Sequence, residues 1–213
     1  MRVTVFDYGA GNLHSLVKAL EIPSSSVRVE SNPVLAVQDT DALVLPGVGA
    51  FAPAAERLAP GIREVRTALQ NGLPCLGICL GMHLLFDSSM EGAGEGIGMF
   101  SGHVERLNAL RVPQIGWNAI ECEPPIDPLF VQSQLQLAYF ANSFVARPTR
   151  SAAPQVIAWT EHEGDRFPSA ARVGHVVGVQ FHPEKSSREG VAFVHAFLNE
   201  AASVRFSFAE SSV

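Results

Sequence analysis

The sequence predicts an α/β domain with a central, mostly parallel sheet flanked by helices and an antiparallel β extension. In the first half, short apolar runs alternate with helical patterns, as in parallel strands joined by helical crossovers. In the second half, short strand-like runs are separated by Gly and Pro, which suits antiparallel strands set beside that sheet. The 213 residues are enough for one domain that buries a sizeable core.

Taken in order, residues 3–6 (VTVF) form a β-branched and aromatic run, ended by Asp7-Tyr8-Gly9-Ala10-Gly11-Asn12. A helix follows with Leu13, Leu16, Val17 and Leu20 on one face. Residues 27–29 read as a strand. Ala42–Leu45 is a continuous apolar run stopped by Pro46-Gly47-Val48-Gly49, which marks a buried parallel strand. A helix over Ile62–Gln70 ends at Asn71-Gly72. Cys75–Ile78 is another buried strand, followed by a helix over residues 80–86. In the extension, short strands are expected over residues 103–107, 117–120, 137–140, 156–159 and 176–179. The last helix spans residues 187 to about 199, with Ser186 and Glu189 as a capping box. Residues 204–213 read as a polar, frayed tail, which leaves residues 1–203 as the single domain. There is no internal repeat, low-complexity segment or linker.

Composition narrows the partners. Apolar residues make up 47% and charged residues 17%, an ordinary globular balance. A net charge of −6 with scattered basic residues argues against nucleic acid, which needs a basic face. Three cysteines without paired spacing argue against a disulfide framework. No signal peptide and no membrane-spanning run is visible, so a cytoplasmic protein is expected.

Gly77-Ile78-Cys79-Leu80-Gly81 places a thiol between two glycines at a strand-to-helix turn. In the related G-x-S-x-G elbow the nucleophile sits on a strained turn and projects from the sheet edge. The glycines relieve clashes in so sharp a bend. The helix that follows aims its free N–H groups and positive dipole end at the sulfur, favouring the thiolate. The Leu80 N–H is placed to hold an oxyanion. The alternative for any single cysteine is a small buried residue, and Cys75 and Cys122 are assigned to it.

A thiol nucleophile needs a base, and His182-Pro183-Glu184 offers one. Extended geometry before proline should let His182 continue a strand, so that residues 182 and 184 lie side by side. Glu184 then orients the imidazole, as the third member of a triad does. The rival cluster Glu161-His162-Glu163 sits in a polar, loop-like stretch and is expected at the surface. Gly47 and Gly49, just past a buried strand, can turn backbone N–H groups toward an oxyanion, or can simply make a turn.

These segments together resemble the class I glutamine amidotransferase family, whose triad runs Cys-His-Glu in this chain order. More narrowly, residues 7–13 (DYGAGNL), 45–51 (LPGVGAF), 112–118 (VPQIGWN) and 139–144 (YFANSF) resemble the glutaminase subunits of imidazole glycerol phosphate synthase. The matches run from Asp7 to about Gly190. Other class I relatives share the cysteine and His-x-Glu segments but generally not the first two of these.

The resemblance implies the class I glutamine amidotransferase fold and a glutaminase. Cys79 attacks the glutamine side-chain amide, His182 moves the proton, and Glu184 holds His182. Leu80 and the Gly47-Val48-Gly49 loop supply oxyanion donors. No metal or organic cofactor is called for. Ammonia passes to a separate (β/α)8-barrel cyclase subunit in a heterodimer, which converts PRFAR into imidazole glycerol phosphate and AICAR in histidine biosynthesis. This chain is too short to hold that barrel of roughly 250 residues as well. In this family, full activity is expected only with the partner's ligand bound, through a peptide rearrangement in the Gly47–Gly49 segment.

The resemblance also puts Asn12, Trp117 and Lys185 toward the partner. From the residues alone they serve equally as a helix cap, a core ring and a solvated charge. It puts His83, Glu91, Asn142, Ser143 and Phe144 in the glutamine pocket, although Glu91 also fits an ordinary loop charge. Three of these depart from the family pattern. His83 stands where glutamine is common, Asn142 where histidine is expected, and Phe144 where tyrosine is usual. Competing expectations are a glutaminase subunit of another synthase, such as pyridoxal phosphate synthase, a stand-alone cysteine amidohydrolase, and a catalytically silent scaffold.

Overall fold

A computed structural model describes residues 1–9, 11 and 13–210 of the chain. The first half contains β1 (Arg2–Phe6), α1 (His14–Leu20), β2 (Ser26–Glu30), α2 (Pro33–Ala36), β3 (Ala42–Leu45), α3 (Phe51–Leu58), α4 (Ile62–Gln70), β4 (Cys75–Ile78) and α5 (Leu80–Leu85). The second contains β5 (Ser88–Ser89), β6 (Gly102–Arg106), β7 (Gln114–Ala119), β8 (Glu121–Cys122), α6 (Pro128–Ser133), β9 (Leu137–Asn142), β10 (Phe144–Pro148), β11 (Val156–His162), β12 (Asp165–Val173), β13 (Val176–Val179) and α7 (Ser187–Glu210).

One eight-stranded sheet, in the order β2-β1-β3-β4-β13-β12-β11-β8, organises the molecule. Its first five strands are parallel, and the last three continue antiparallel. Smaller sheets, β10-β6-β5 and β7-β9, flank it. The residues of β3, β4 and β13 are buried on both faces, which is why they read as unbroken apolar runs.

The two sheet faces carry separate cores. Val44, Leu76 and Val179 meet α1, α6 and α7 through Leu20, Phe130 and Phe197. Leu43, Leu45 and Cys75 meet α3, α4 and α5 through Leu58, Leu69 and Leu85. Alternate residues of one strand thus feed opposite layers. In the first layer Phe181 touches Phe130, Phe140 and Phe193, with ring centroids 6.4, 6.0 and 5.6 Å away.

The structure departs from the sequence expectations in several places. The strand at Val176–Val179 belongs to the main sheet, between β4 and β12, and pairs parallel with β4. The helices α2 and α6 were missed, although both start alike. Asn32 accepts from the Val34 and Leu35 N–H groups, Asp127 accepts from the Leu129 N–H, and a proline follows each cap. The helix α3 was also missed, as were β5, β8 and β10.

The strand β12 went unseen because Pro168 interrupts it. Pro168 lies opposite Trp159, beside a register irregularity at Ala158, where a missing ladder donor is tolerated. The capping box does not form. The Ser186 hydroxyl donates to the His182 carbonyl and accepts from the Tyr139 N–H, while the Ser187 hydroxyl donates to Glu189. The helix α7 runs past residue 199 to Glu210, so the expected tail begins inside it, and residues 211–213 lie outside the described residues.

Truncating Phe181 to alanine empties the centre of the aromatic cluster immediately before His182. Phe181→Ala should cost about 3–5 kcal/mol in urea unfolding, as a lower midpoint at unchanged slope.

Candidate active site

The elbow forms as its residue types require. Between β4 and α5, Cys79 adopts φ 48° and ψ −104°, a backbone region that side chains rarely enter. The glycines serve close approach. A Cβ on Gly77 would lie 2.7 Å from the Gly81 carbonyl oxygen, and one on Gly81 would lie 2.0 Å from the Leu45 carbonyl oxygen. The strain therefore falls on the cysteine, and its neighbours provide the room. The Cys79 N–H donates to the Val179 carbonyl at 2.6 Å, extending the β4–β13 ladder into the turn.

His182 is buried just beyond β13. Its N–H donates to the Tyr139 carbonyl at 2.8 Å, and its own carbonyl accepts from Ser186 Oγ and the Lys185 N–H. The ring Nδ1 lies 2.8 Å from Glu184 Oε1. Glu184 arrives there by a route other than the expected extended chain: β13 ends at Val179, and Pro183–Lys185 is a 3₁₀ turn that folds the carboxylate back beside the imidazole. The second oxygen, Glu184 Oε2, is buried and has no partner among the described residues.

Burial pulls the His182 pKa down. Hydrogen bonding and charge interaction with Cys79 and Glu184 more than offset this and push it up from 6.5 to about 10. An imidazolium held between a carboxylate and a sulfur is the arrangement that proton delivery to a leaving amine needs.

The loop after β3 closes over both groups. A Cβ on Gly47 would lie 2.9 Å from His182 Cε1 and 3.0 Å from Cys79 Cβ, so only glycine fits there without displacing one of them. Gly49 has φ 103°, in the region glycine favours. The Val48 side chain sits over Gly11 (φ 81°), where a Cβ would come within 2.6 Å of Val48 Cβ. Leu80 opens α5, so its N–H has no partner within the helix.

The remaining residues expected at the site are spread around it. Glu91 Oε2 accepts from the Phe51 N–H at 3.3 Å, at the start of α3 and next to the Gly49 loop, and half-burial raises its pKa. Asn142 is buried at the end of β9, where its Nδ2 donates to the Phe144 carbonyl at 3.2 Å. The Ser143 carbonyl accepts from the Leu107 N–H, and Phe144 starts β10. Trp117 on β7 is half-exposed and meets Tyr139 edge-on. Lys185 is exposed one residue after Glu184. Asn12 lies outside the described residues.

His83 is buried in α5, and its Nε2 bonds to Gln180 Oε1 at 2.9 Å. Gln180 Nε2 donates to Cys79 Sγ at 3.5 Å. The sequence reading did not single out Gln180. The available signal was its place two residues before His182, at the exit of a buried strand.

The cluster of residues 161–163 ends β11 and enters an exposed hairpin, where Glu163 pairs with Arg111. A surface cleft of about 790 Å³, lined by Tyr8, Asn32 and Arg57 among others, contains none of the three residues Cys79, His182 and Glu184. Cys79, His182 and Glu184 instead form a largely buried cluster apart from that cleft. Among the described residues, no three His, Cys, Asp or Glu side chains are grouped to hold a metal ion. No helix among them is long and apolar enough to cross a membrane.

A family model described as glutamine amidotransferase class-I matches residues 4–201. The chain is 40% identical over 197 residues to imidazole glycerol phosphate synthase subunit HisH of Thermus thermophilus, covering 91% of this chain and 95% of that one. It is 37% identical over 206 residues to the subunit of the same name from Corynebacterium efficiens, covering 92% and 97%. Among solved structures, a glutamine amidotransferase superposes with a TM-score of 0.71 at 22% identity, over 94% of this chain and 98% of that one. PurLQS from Thermotoga maritima superposes with a TM-score of 0.68 at 20% identity, over 93% and 98%. These two structural likenesses bear on the fold.

The raised His182 pKa gives a signed expectation. A base whose pKa is raised by folding stabilises the fold in full below its unfolded value of 6.5, and that contribution is lost as pH rises through about 10. Nuclear magnetic resonance of ring-labelled histidine should show one imidazole titrating near pH 10, falling toward 6.5 in Glu184→Gln. The melting-temperature advantage of the native chain over that variant should shrink across the same window. An imidazole that titrates identically in both proteins would remove Glu184 from its role.

Proposed function

The chain belongs to the class-I glutamine amidotransferases, among the imidazole glycerol phosphate synthase HisH subunits, and from that premise we propose how its residues act. It is the glutamine amidotransferase subunit of imidazole glycerol phosphate synthase, in histidine biosynthesis, and it has the expected class I fold. Residues 1–203 form the catalytic domain, and the setting is cytoplasmic.

In the proposed mechanism the Cys79 thiolate attacks the side-chain amide carbon of glutamine. The tetrahedral oxyanion is held by the Leu80 N–H and by an N–H of the Gly47-Val48-Gly49 loop. His182 protonates the amine as it leaves, and Glu184 keeps the ring oriented. The neutral imidazole then takes a proton from water, which attacks the γ-glutamyl thioester. Glutamate leaves, and the thiolate and imidazolium are restored. Glu91, Asn142, Ser143 and Phe144 are assigned to the glutamine pocket. The observation that carries this reading is the convergence of Cys79, His182 and Glu184 beyond the ends of β4 and β13, under the glycine of the β3 loop.

Exposed apolar residues support a place for the partner. On β7 and β9, Ile115, Trp117 and Leu137 are 67%, 50% and 52% exposed, and Tyr139 lies between them. An apolar strip of this kind marks a protein contact. It adjoins the site directly, because the Tyr139 carbonyl holds the His182 N–H. A small cleft of about 200 Å³, lined by Leu13, Gly47, Val48, Glu184 and Lys185 among others, is the exit assigned to ammonia. The cyclase subunit docks over this face and receives the ammonia there, with Lys185 as an interface charge.

Glutamate release from glutamine should be near background for the chain alone. It should rise by orders of magnitude with the cyclase subunit and its nucleotide ligand, and vanish in Cys79→Ala. Full turnover by the chain alone, indifferent to partner, would return the assignment to a stand-alone amidohydrolase. Trp117→Ala should weaken the heterodimer by about 1–3 kcal/mol in calorimetric titration, while free-chain melting changes little.

A further inference from the structure

The sulfur of Cys79 touches a second polar side chain besides the imidazole. Gln180 is fully buried and spans from Cys79 Sγ, 3.5 Å from its Nε2, to His83 Nε2, 2.9 Å from its Oε1. Sulfur is large, so this N–S separation is a hydrogen-bond distance. Neither His83 nor Gln180 has a part in the triad mechanism, and the resemblance places His83 against substrate. The geometry points to a different task.

We propose that His83 is a positioning residue for the nucleophile: its Nε2–H donates to Gln180 Oε1, fixing the amide so that its NH₂ group donates to the Cys79 thiolate. This rests on the reading of Cys79 as the nucleophile. A carboxamide can turn either way about its last bond, and the two orientations have opposite effects. With the NH₂ group on the sulfur, the thiolate gains a donor. With the carbonyl oxygen there, it meets a partial negative charge, and only the protonated thiol is satisfied. A donor anchored on the far side of the amide selects the first orientation, and a neutral imidazole protonated at Nε2 supplies it.

His83 remains neutral for this task. Burial pushes its pKa down from 6.5 to about 4, despite the Gln180 bond. It therefore adds no second positive charge beside the His182–Glu184 pair, and its influence reaches the sulfur as an oriented dipole.

The other groups around the elbow leave this route open. From the segment after β13 come His182, backed by Glu184, and then exposed Lys185. From β4 comes Cys75, whose thiol burial holds far above its usual range. On α3, Glu56 and Arg57 are exposed, while Phe51, Ala54, Ala55 and Leu58 form the buried side. Glu91 bonds to the Phe51 N–H. The Pro46–Gly49 segment carries no titratable side chain.

The test uses the 213-residue chain and needs no partner. Nitrogen-15 spectra of histidine-labelled chain should show His83 protonated at Nε2 from about pH 6 to 8. Cys79 alkylation by iodoacetamide, followed by mass spectrometry, should slow about tenfold on the acid limb of its pH profile in His83→Leu and Gln180→Met. The whole pH profile should move up by about one unit, the scale of losing one hydrogen bond to a charged group. His83→Gln, which keeps a donor, should retain the native profile. A proton on Nδ1 overturns the proposal, as does a folded His83→Leu chain with native alkylation or a tenfold loss in His83→Gln. If the leucine variant does not fold, the tautomer in the native chain decides. Failure of the glutaminase assignment would appear separately, as glutamate release that stays absent even with the cyclase subunit and its nucleotide ligand, while the alkylation series is as expected here.

Discussion

The site depends on β13 lying parallel beside β4, in the register that sets Val179 against Ile78. That pairing aligns the carboxyl ends of two buried strands, the place where open α/β sheets gather their ligands. The Cys79 N–H continues the ladder by one bond to the Val179 carbonyl, so the cysteine is tied to the strand that leads to His182. Beyond this point the chains diverge, one into α5 and one toward His182. A slip in register would separate the Cys79 thiol from the His182 imidazole together with the core contacts of β13, which makes the geometry of that pair and sheet pairing one requirement.

The second constraint is crowding. The strained, positive-φ conformation at Cys79 costs on the order of 1–3 kcal/mol, and it persists because the turn is hemmed in on every side. Leu45 presses on Gly81, Gly81 on Gly77, and Gly47 on the triad itself. Each contact leaves no room for a methyl group. The backbone strands that press inward also belong to the sheet, so core packing holds the strained residue in place. The His182 backbone is fixed in a similar way, between Tyr139 on one sheet and Ser186 at the head of α7.

Much of this was legible because the signals are local. The elbow reads directly from Gly77, Cys79 and Gly81, since each residue type answers a steric demand within the same turn. The His182 and Glu184 pairing reads from spacing, although a 3₁₀ turn at Pro183 achieves it and no strand extends there. Gln180 was invisible because its contacts depend on register between distant segments. The strand β13 looked like part of the extension because four apolar residues carry no record of which neighbour they join. Pro168 hid β12, and only the irregularity across from it explains why the strand survives. The starts of α2 and α6 were legible in principle, as an Asn or Asp cap followed by proline.

Val48 seated on the bare backbone of Gly11 has a consequence for how the chain can vary. The two positions share one volume, although they belong to different loops. Enlarging either requires shrinking the other, so they form a single unit of substitution. The loop after β1, far from the cysteine in sequence, thereby sets the seat of the loop that covers it. Displacing Gly11 in that first loop would therefore push directly on Val48, in the loop that lies over Cys79 and His182.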